Sequence, residues 1–137
     1  MKITSRTEYG LRAMVYLAAR PGDAPAPLTE IARSEGIPAP FLERILAQLR
    51  EDGLVKATRG ASGGYALSRS PDRVAVADVV VALEGPLTLV DCVGEDRSCV
   101  RAEGCASRTV WRRIDEAIHE VLAGISLADL VTEGERR

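Results

Sequence analysis

Between residues 39 and 67 the chain changes its hydrophobic period abruptly, and that change restricts the folds open to it. Phe41, Leu42, Ile45, Leu46 and Leu49 recur at helical spacing and predict a helix from Pro38 or Ala39 to Asp52, with Gly53 as its C-terminal stop. Immediately afterwards Leu54-Val55-Lys56-Ala57-Thr58 and Tyr65-Ala66-Leu67 read as two short strands. Arg59-Gly60-Ala61-Ser62-Gly63-Gly64 joins them as a flexible turn. Upstream, Leu11, Met14, Val15 and Ala18 predict a first helix from about Thr7 to Ala19. The Pro-rich run from Arg20 to Pro27 breaks it, and Thr29 is placed to cap a short second helix carrying Ile31 and Ala32. Gly36-Ile37-Pro38 is a tight break before the third helix.

Helix, short helix, tight turn, helix and hairpin, in that order, define a winged helix-turn-helix. The expected class is mainly α (α+β), with a two-stranded wing. A helix fits the major groove of B-DNA and meets base edges with its N-terminal residues. While the apolar face of the third helix packs inward, the opposite face holds Pro40, Glu43, Arg44, Ala47, Gln48 and Arg50, which can reach bases or phosphates. At the tip of the hairpin, Arg59 lies beside small residues that include Ser62 and Gly63. An arginine there can enter the minor groove or grip phosphate, and the small residues permit close approach to the DNA backbone.

Charge is consistent with this once its distribution is considered. The net charge is −2, but residues 1–70 hold ten Lys or Arg against seven Asp or Glu, whereas residues 71–137 hold eight against thirteen. A mildly basic front half joined to an acidic rear half suits a DNA-reading module attached to another unit. Arg6, Glu8 and Arg12 interrupt any secretory apolar run, and no stretch approaches the roughly 20 apolar residues of a membrane helix. A cytoplasmic protein with no membrane partner is expected, in which thiols stay reduced.

Beyond the hairpin, Pro71 and Asp72 introduce a short helix from about Val76 to Leu83, which Gly85-Pro86 ends. Residues 86–106 show no period and contain Cys92, Cys99 and Cys105, with six and then five residues between them. Thiolates are soft ligands suited to iron–sulfur clusters and zinc. The spacing lacks the short Cys-x-x-Cys pairs of structural zinc sites. Isolated reduced thiols and a Cys92–Cys99 or Cys99–Cys105 redox disulfide are the other readings these spacings allow. Val110, Ile114, Ala117 and Val121 then alternate at four and three along a long amphipathic helix, flanked by Trp111, Ile118 and Leu122. Nothing else in the chain is left to cover this seam, so pairing with the same helix of a second copy is expected. The charged tail from Glu133 to Arg137 is expected to fray.

The string from Phe41 to Val55, continued by Arg59-Gly60-Ala61-Ser62-Gly63-Gly64-Tyr65-Ala66-Leu67, resembles the IscR/NsrR family of bacterial regulators, the "Rrf-two" group. Met1-Lys2-Ile3-Thr4 and Tyr9-Gly10-Leu11-Arg12-Ala13 extend the likeness to nearly the whole chain. The resemblance implies a homodimeric regulator of promoters, a repressor in this reading, bound to a two-fold operator in double-stranded DNA. By position, Glu43 and Arg50 match base-contacting residues and Arg59 matches the minor-groove residue of the wing. Pro40 stands where some members have a small polar residue.

The resemblance also implies an iron–sulfur cluster, 2Fe–2S or 4Fe–4S, held by Cys92, Cys99 and Cys105. Two departures accompany it. The first gap is one residue longer than in several members, with Ser98 at the shorter position. Arg108 stands where some members carry a histidine ligand three residues beyond the last cysteine, and the lone histidine, His119, is expected at the surface. Other members draw the fourth ligand from an acidic residue in the partner's first helix; Glu8 occupies that position, where its alternative role is a carboxylate favouring the helix dipole.

The implied organisation is a winged-helix domain over 1–84, a cysteine-bearing loop over 85–106, and a dimerisation helix with tail over 107–137. No P-loop, dinucleotide fingerprint, Cys-x-x-Cys or Ser/His/Asp set supports an enzyme such as a thiol oxidoreductase, and no small-molecule substrate is expected.

Overall fold

The structure is a computed structural model, and it describes residues 2–22, 24–88 and 106–135. Its elements run α1 (Ser5–Ala19), α2 (Leu28–Glu35), α3 (Ala39–Glu51), β1 (Val55–Thr58), β2 (Gly64–Leu67), α4 (Val76–Glu84), α5 (Ala106–Gly124) and α6 (Leu127–Glu135), with a 3-10 turn at Pro71–Arg73 before α4. The class is the mainly helical winged helix-turn-helix that the sequence predicts. β1 and β2 pair antiparallel, with Val55 opposite Leu67 and Thr58 opposite Gly64.

The core is built where the periodic residues converge. Ala13, Met14 and Leu17 of α1 meet Ile31 of α2, the α3 row Leu42, Ile45, Leu46 and Leu49, and Val79 and Leu83 of α4. Gly10 lies at the crossing of α1 with α4, where a Cβ would overlap Leu83 and press on Ile45. The helix therefore accepts a poor helix former at that position because two helices touch there. Tyr9 stacks edge-on against Phe41, with ring centroids 5.7 Å apart, and Arg12 lies over the Tyr9 ring while pairing with Glu35.

Three local expectations are corrected. α1 begins two residues earlier than its apolar period suggested, because Thr4 caps it: the Thr4 carbonyl accepts from the N–H groups of Thr7 and Glu8, both at 3.1 Å. Thr29 does not cap α2; the helix starts at Leu28, Pro27 holds the cap position, and Thr29 lies inside the first turn. The C-terminal tail is not simply frayed: its residues 133–135 extend a sixth helix.

This sixth helix has a clear physical cause. The Ser126 N–H donates to Asp129 Oδ2 at 2.9 Å and the Asp129 N–H donates to Ser126 Oγ at 3.1 Å, a reciprocal capping box. Just before it, Val76 N–H bonds the Ile125 carbonyl and Leu127 N–H bonds the Val74 carbonyl, stitching this segment to the start of α4. Leu127 is fully buried in the main core. The segment after α5 thus carries the chain onto the main core, where α6 packs. Leu122 of α5 and Ile125 just after it pack on a satellite cluster of Val76, Val80 and Leu87.

Candidate nucleic-acid interface

α3 presents to solvent the face that its inward row leaves over. Pro40, Glu43, Arg44, Ala47 and Arg50 are exposed, and Gln48 is half-buried. Pro40 sits in the first turn, where a missing N–H leaves no bond unmade. Gln48 Nε2 donates to Asp52 Oδ2 at 3.3 Å, which tethers its amide along the helix. Arg44 and Arg50 have no ion-pair partner among the described residues, so both guanidinium groups are available to an external anion.

The wing brings a second group of residues. Arg59, Gly60, Ala61 and Ser62 are exposed at the tip between β1 and β2. Gly63 is buried, its N–H donates to the Gly60 carbonyl at 3.0 Å, and a Cβ there would overlap the Thr58 carbonyl. It shapes the turn and presents no side chain. Gly64 takes φ +152, and a Cβ on it would run into the backbone of Ala26 and Pro27. That close approach lets Ala26 and Tyr65 exchange two backbone bonds of 2.8 Å, an antiparallel bridge that fixes the wing against the start of α2.

Cys92, Cys99 and Cys105 lie outside the described residues. Among the described residues there is no group of three or more His, Cys, Asp or Glu that could hold a metal ion. What the structure does describe is how the two ends of the cysteine-bearing segment are moored. At its start, Glu84 Oε1 accepts from Thr4 N–H at 2.7 Å, Thr4 Oγ1 at 2.6 Å and Thr7 Oγ1 at 2.7 Å. These three donors, the Thr4 hydroxyl foremost, hold the Glu84 carboxyl below the usual carboxylate range. Leu87 is buried, and its carbonyl lies 3.0 Å from His119 Nε2 on α5. At the other end, α5 opens at Ala106, the residue after Cys105.

Glu8 is exposed in the first turn of α1, one residue beyond Thr7. His119 is exposed as expected, with Asp115 Oδ2 at 3.5 Å. Arg108 sits half-buried in the first turn of α5. The seam residues Val110, Trp111, Ile114, Ala117 and Val121 are all exposed, Val121 to 58 % and Val110 to 52 %. An apolar row this open on one helix is unusual for a lone chain.

The Glu84 tie had no sequence signal, since its partners are some 80 residues away. The Ser126…Asp129 capping box was readable before the apolar Leu127, Leu130 and Val131.

Among the described residues, no helix is long and apolar enough to cross a membrane. Residues 3–133 match the Rrf2 family model, described as an iron-dependent transcriptional regulator. The chain is 38 % identical over 138 residues to the HTH-type transcriptional regulator CymR of Bacillus subtilis, covering 99 % of this chain and 95 % of that protein. It is 35 % identical over 135 residues to the regulator IscR of Erwinia tasmaniensis, covering 98 % of this chain and 81 % of that one. Among solved structures, it is similar to CymR, the global cysteine regulator of B. subtilis, with a TM-score of 0.85 and 37 % identity over 97 % of this chain and 98 % of that one. It is also similar to T. potens IscR, with a TM-score of 0.80 and 36 % identity over 99 % and 90 %.

Proposed function

The chain belongs to the Rrf2 family of transcriptional regulators, and from that premise we propose that it is a cytoplasmic, homodimeric repressor whose operator affinity is set by an iron–sulfur cluster on Cys92, Cys99 and Cys105. The observation that carries the DNA-reading part is the solvent face of α3, with two unpaired arginines, beside the exposed Arg59 of the wing. Arg44, Arg50 and Arg59 neutralise phosphates or read guanine edges, Glu43 accepts from cytosine, and Gln48 pairs with adenine once released from Asp52. Ser62 and the Gly60–Gly63 turn follow the DNA backbone at the wing. Two such faces are carried by one dimer, joined through Val110, Trp111, Ile114, Ala117 and Val121. In functional terms residues 1–84 read DNA, 85–106 sense and 107–137 pair the copies, with α6 tying the last unit back to the first.

The donor set fits the cluster: three thiolates within fourteen residues supply soft ligands, and Glu8 of the partner subunit supplies a fourth, hard one. The cluster, when bound, supplies a centre whose oxidation state and integrity respond to redox conditions, nitric oxide or iron supply. The chain's own residues transmit that state. The segment is tied to α1 through Glu84 and to α5 through Leu87 and His119, so a change in its order reaches both the reading head and the dimer seam. A tenfold change in operator affinity needs only about 1.4 kcal/mol of such coupling.

A second reading follows from the likeness to CymR, a cysteine regulator that matches this chain as well as IscR does. In it the three cysteines act as redox-active thiols with no cluster. Anaerobic purification separates the two. A brown protein with stoichiometric iron and sulfide, whose Raman and absorption spectra change in Glu8→Ala, supports the cluster and its fourth ligand. A colourless, iron-free preparation that binds its operator tightly, and loses that binding on thiol oxidation, supports the second reading. Unchanged spectra in Glu8→Ala would remove Glu8 from the ligand set.

A further inference from the structure

A cleft of about 420 Å³ lies where the end of α1 meets the hairpin, and no residue of α3 lines it. Its volume falls in the range of roughly 300–1,000 Å³ typical of small-molecule sites. Arg20, Lys56 and Arg69 line it, together with Tyr65, Ser68 and Ser70. No carboxylate does so among the described residues. Lys56 and Arg69 have no ion-pair partner among the described residues.

Arg20 supplies the second observation. Its Nη1 is bound to Glu30 Oε2 and its Nη2 faces the Pro25 carbonyl at 3.5 Å, so the guanidinium plane is set by the fold. The remaining guanidinium nitrogen, Nε, is buried and has no acceptor among the described residues. Buried donors are nearly always paired in a native protein, by protein or by something bound. Two unpaired cations, the hydroxyls of Tyr65 and Ser68 and one orphaned guanidinium N–H around a cleft of metabolite size match one kind of ligand. All of these groups can donate to a negatively charged oxygen.

We propose that this cleft binds a small ligand bearing a phosphate or carboxylate, with Arg20 Nε, Lys56 and Arg69 as the oxyanion donors and Ser68 as an auxiliary donor. The Ser70 hydroxyl is already engaged by the Asp72 carboxylate. None of the described residues 85–88 or 106–135 lines the cleft, and a ligand there would give the regulator a second input. Lys56 lies on β1, three residues before Arg59, and Tyr65 carries the bridge that holds the wing to Ala26. A ligand here bears directly on the strands that position the wing.

Inorganic phosphate is the probe, titrated into the ¹⁵N-labelled full chain and followed at the Arg20 Nε–Hε signal and the amides of Ser68–Ser70. Saturable shifts are expected with phosphate and not with sodium chloride at equal ionic strength. Lys56→Gln combined with Arg69→Gln is expected to weaken phosphate binding at least tenfold while the rest of the spectrum stays native. Arg20→Lys, which keeps a cation but removes Nε–H, is expected to lose the saturable response. Shifts reproduced by sodium chloride, or a titration indifferent to Lys56→Gln and Arg69→Gln, would mean that Nε is served by water alone and would overturn the site. A DNA duplex of arbitrary sequence forms the second arm. Phosphate that still binds the duplex-loaded protein supports a free ligand; phosphate displaced competitively by the duplex assigns the cleft to DNA backbone and overturns the proposal. Iron-free protein gives the same titration, so this result stands or falls independently of the cluster.

Discussion

Glu84 shows how much one side chain can join. A single carboxylate oxygen takes three donors from the first turn of α1, closing the N-terminus of one helix with the C-terminal residue of another. The anion also sits where the α1 dipole favours it. Because the folded-state pKa lies below the unfolded value, this tie stabilises the protein fully above the ordinary carboxyl range and is lost as pH falls through the folded pKa. Glu84→Gln is therefore expected to lower the melting temperature at neutral pH. The gap between the two proteins should narrow as the solution is acidified below about pH 4, the region where unfolded Glu titrates. Thermal melts across that range check it; a gap that stays constant or widens in acid would refute the assignment. Nothing in the local sequence marks Glu84, since an acidic residue at the end of a helix ordinarily opposes the dipole. Its value comes from a neighbour that only the fold supplies.

At the scale of elements, α3 and the wing were legible because their residues state their own roles. The apolar row Leu42, Ile45, Leu46 and Leu49 is buried, and the complementary polar face is exposed. Arg59→Ala is expected to weaken operator binding by about 1–3 kcal/mol. Its effect should include a shallower dependence on salt if the contact is to phosphate, measured by titrations at two or more ionic strengths. An unchanged affinity would place the wing off the DNA. α6 was not legible from hydrophobic period, because nine residues carry too few apolar positions and the charged end masks them. It exists because a capping box starts it and Leu127 fills the core. Leu127→Ala is expected to cost about 2–5 kcal/mol in a urea unfolding curve, the range for a buried leucine leaving a cavity. A loss below about 0.5 kcal/mol would show α6 to be peripheral to the body.

At the scale of the whole molecule, one apolar row lies open to solvent among the described residues. α5 buries none of its residues and exposes Val110, Trp111, Ile114 and Val121 along one side. In the proposed dimer the same helix of a second copy would cover this row. Ile114→Glu combined with Val121→Glu is expected to raise the dimer dissociation constant at least tenfold in sedimentation. Operator affinity should fall in parallel, because two half-sites are then read by separate molecules. A variant that remains dimeric would locate the interface elsewhere.

Taken alone, the sequence determines those parts of this protein that depend on short-range periodicity. The three N-terminal helices, the hairpin, the open α5 seam and the clustering of three cysteines are all written in spacings of two to seven residues. Tertiary structure decides what depends on meetings between distant segments: the early start of α1 with Glu84 beneath it, the packing of α6 on the main core, the need for Gly64 where the wing touches Ala26, and the cleft around Arg20. A period reports which face of an element is apolar. It carries no information about which remote donor will find which acceptor, and that pairing arises only when packing brings the segments together.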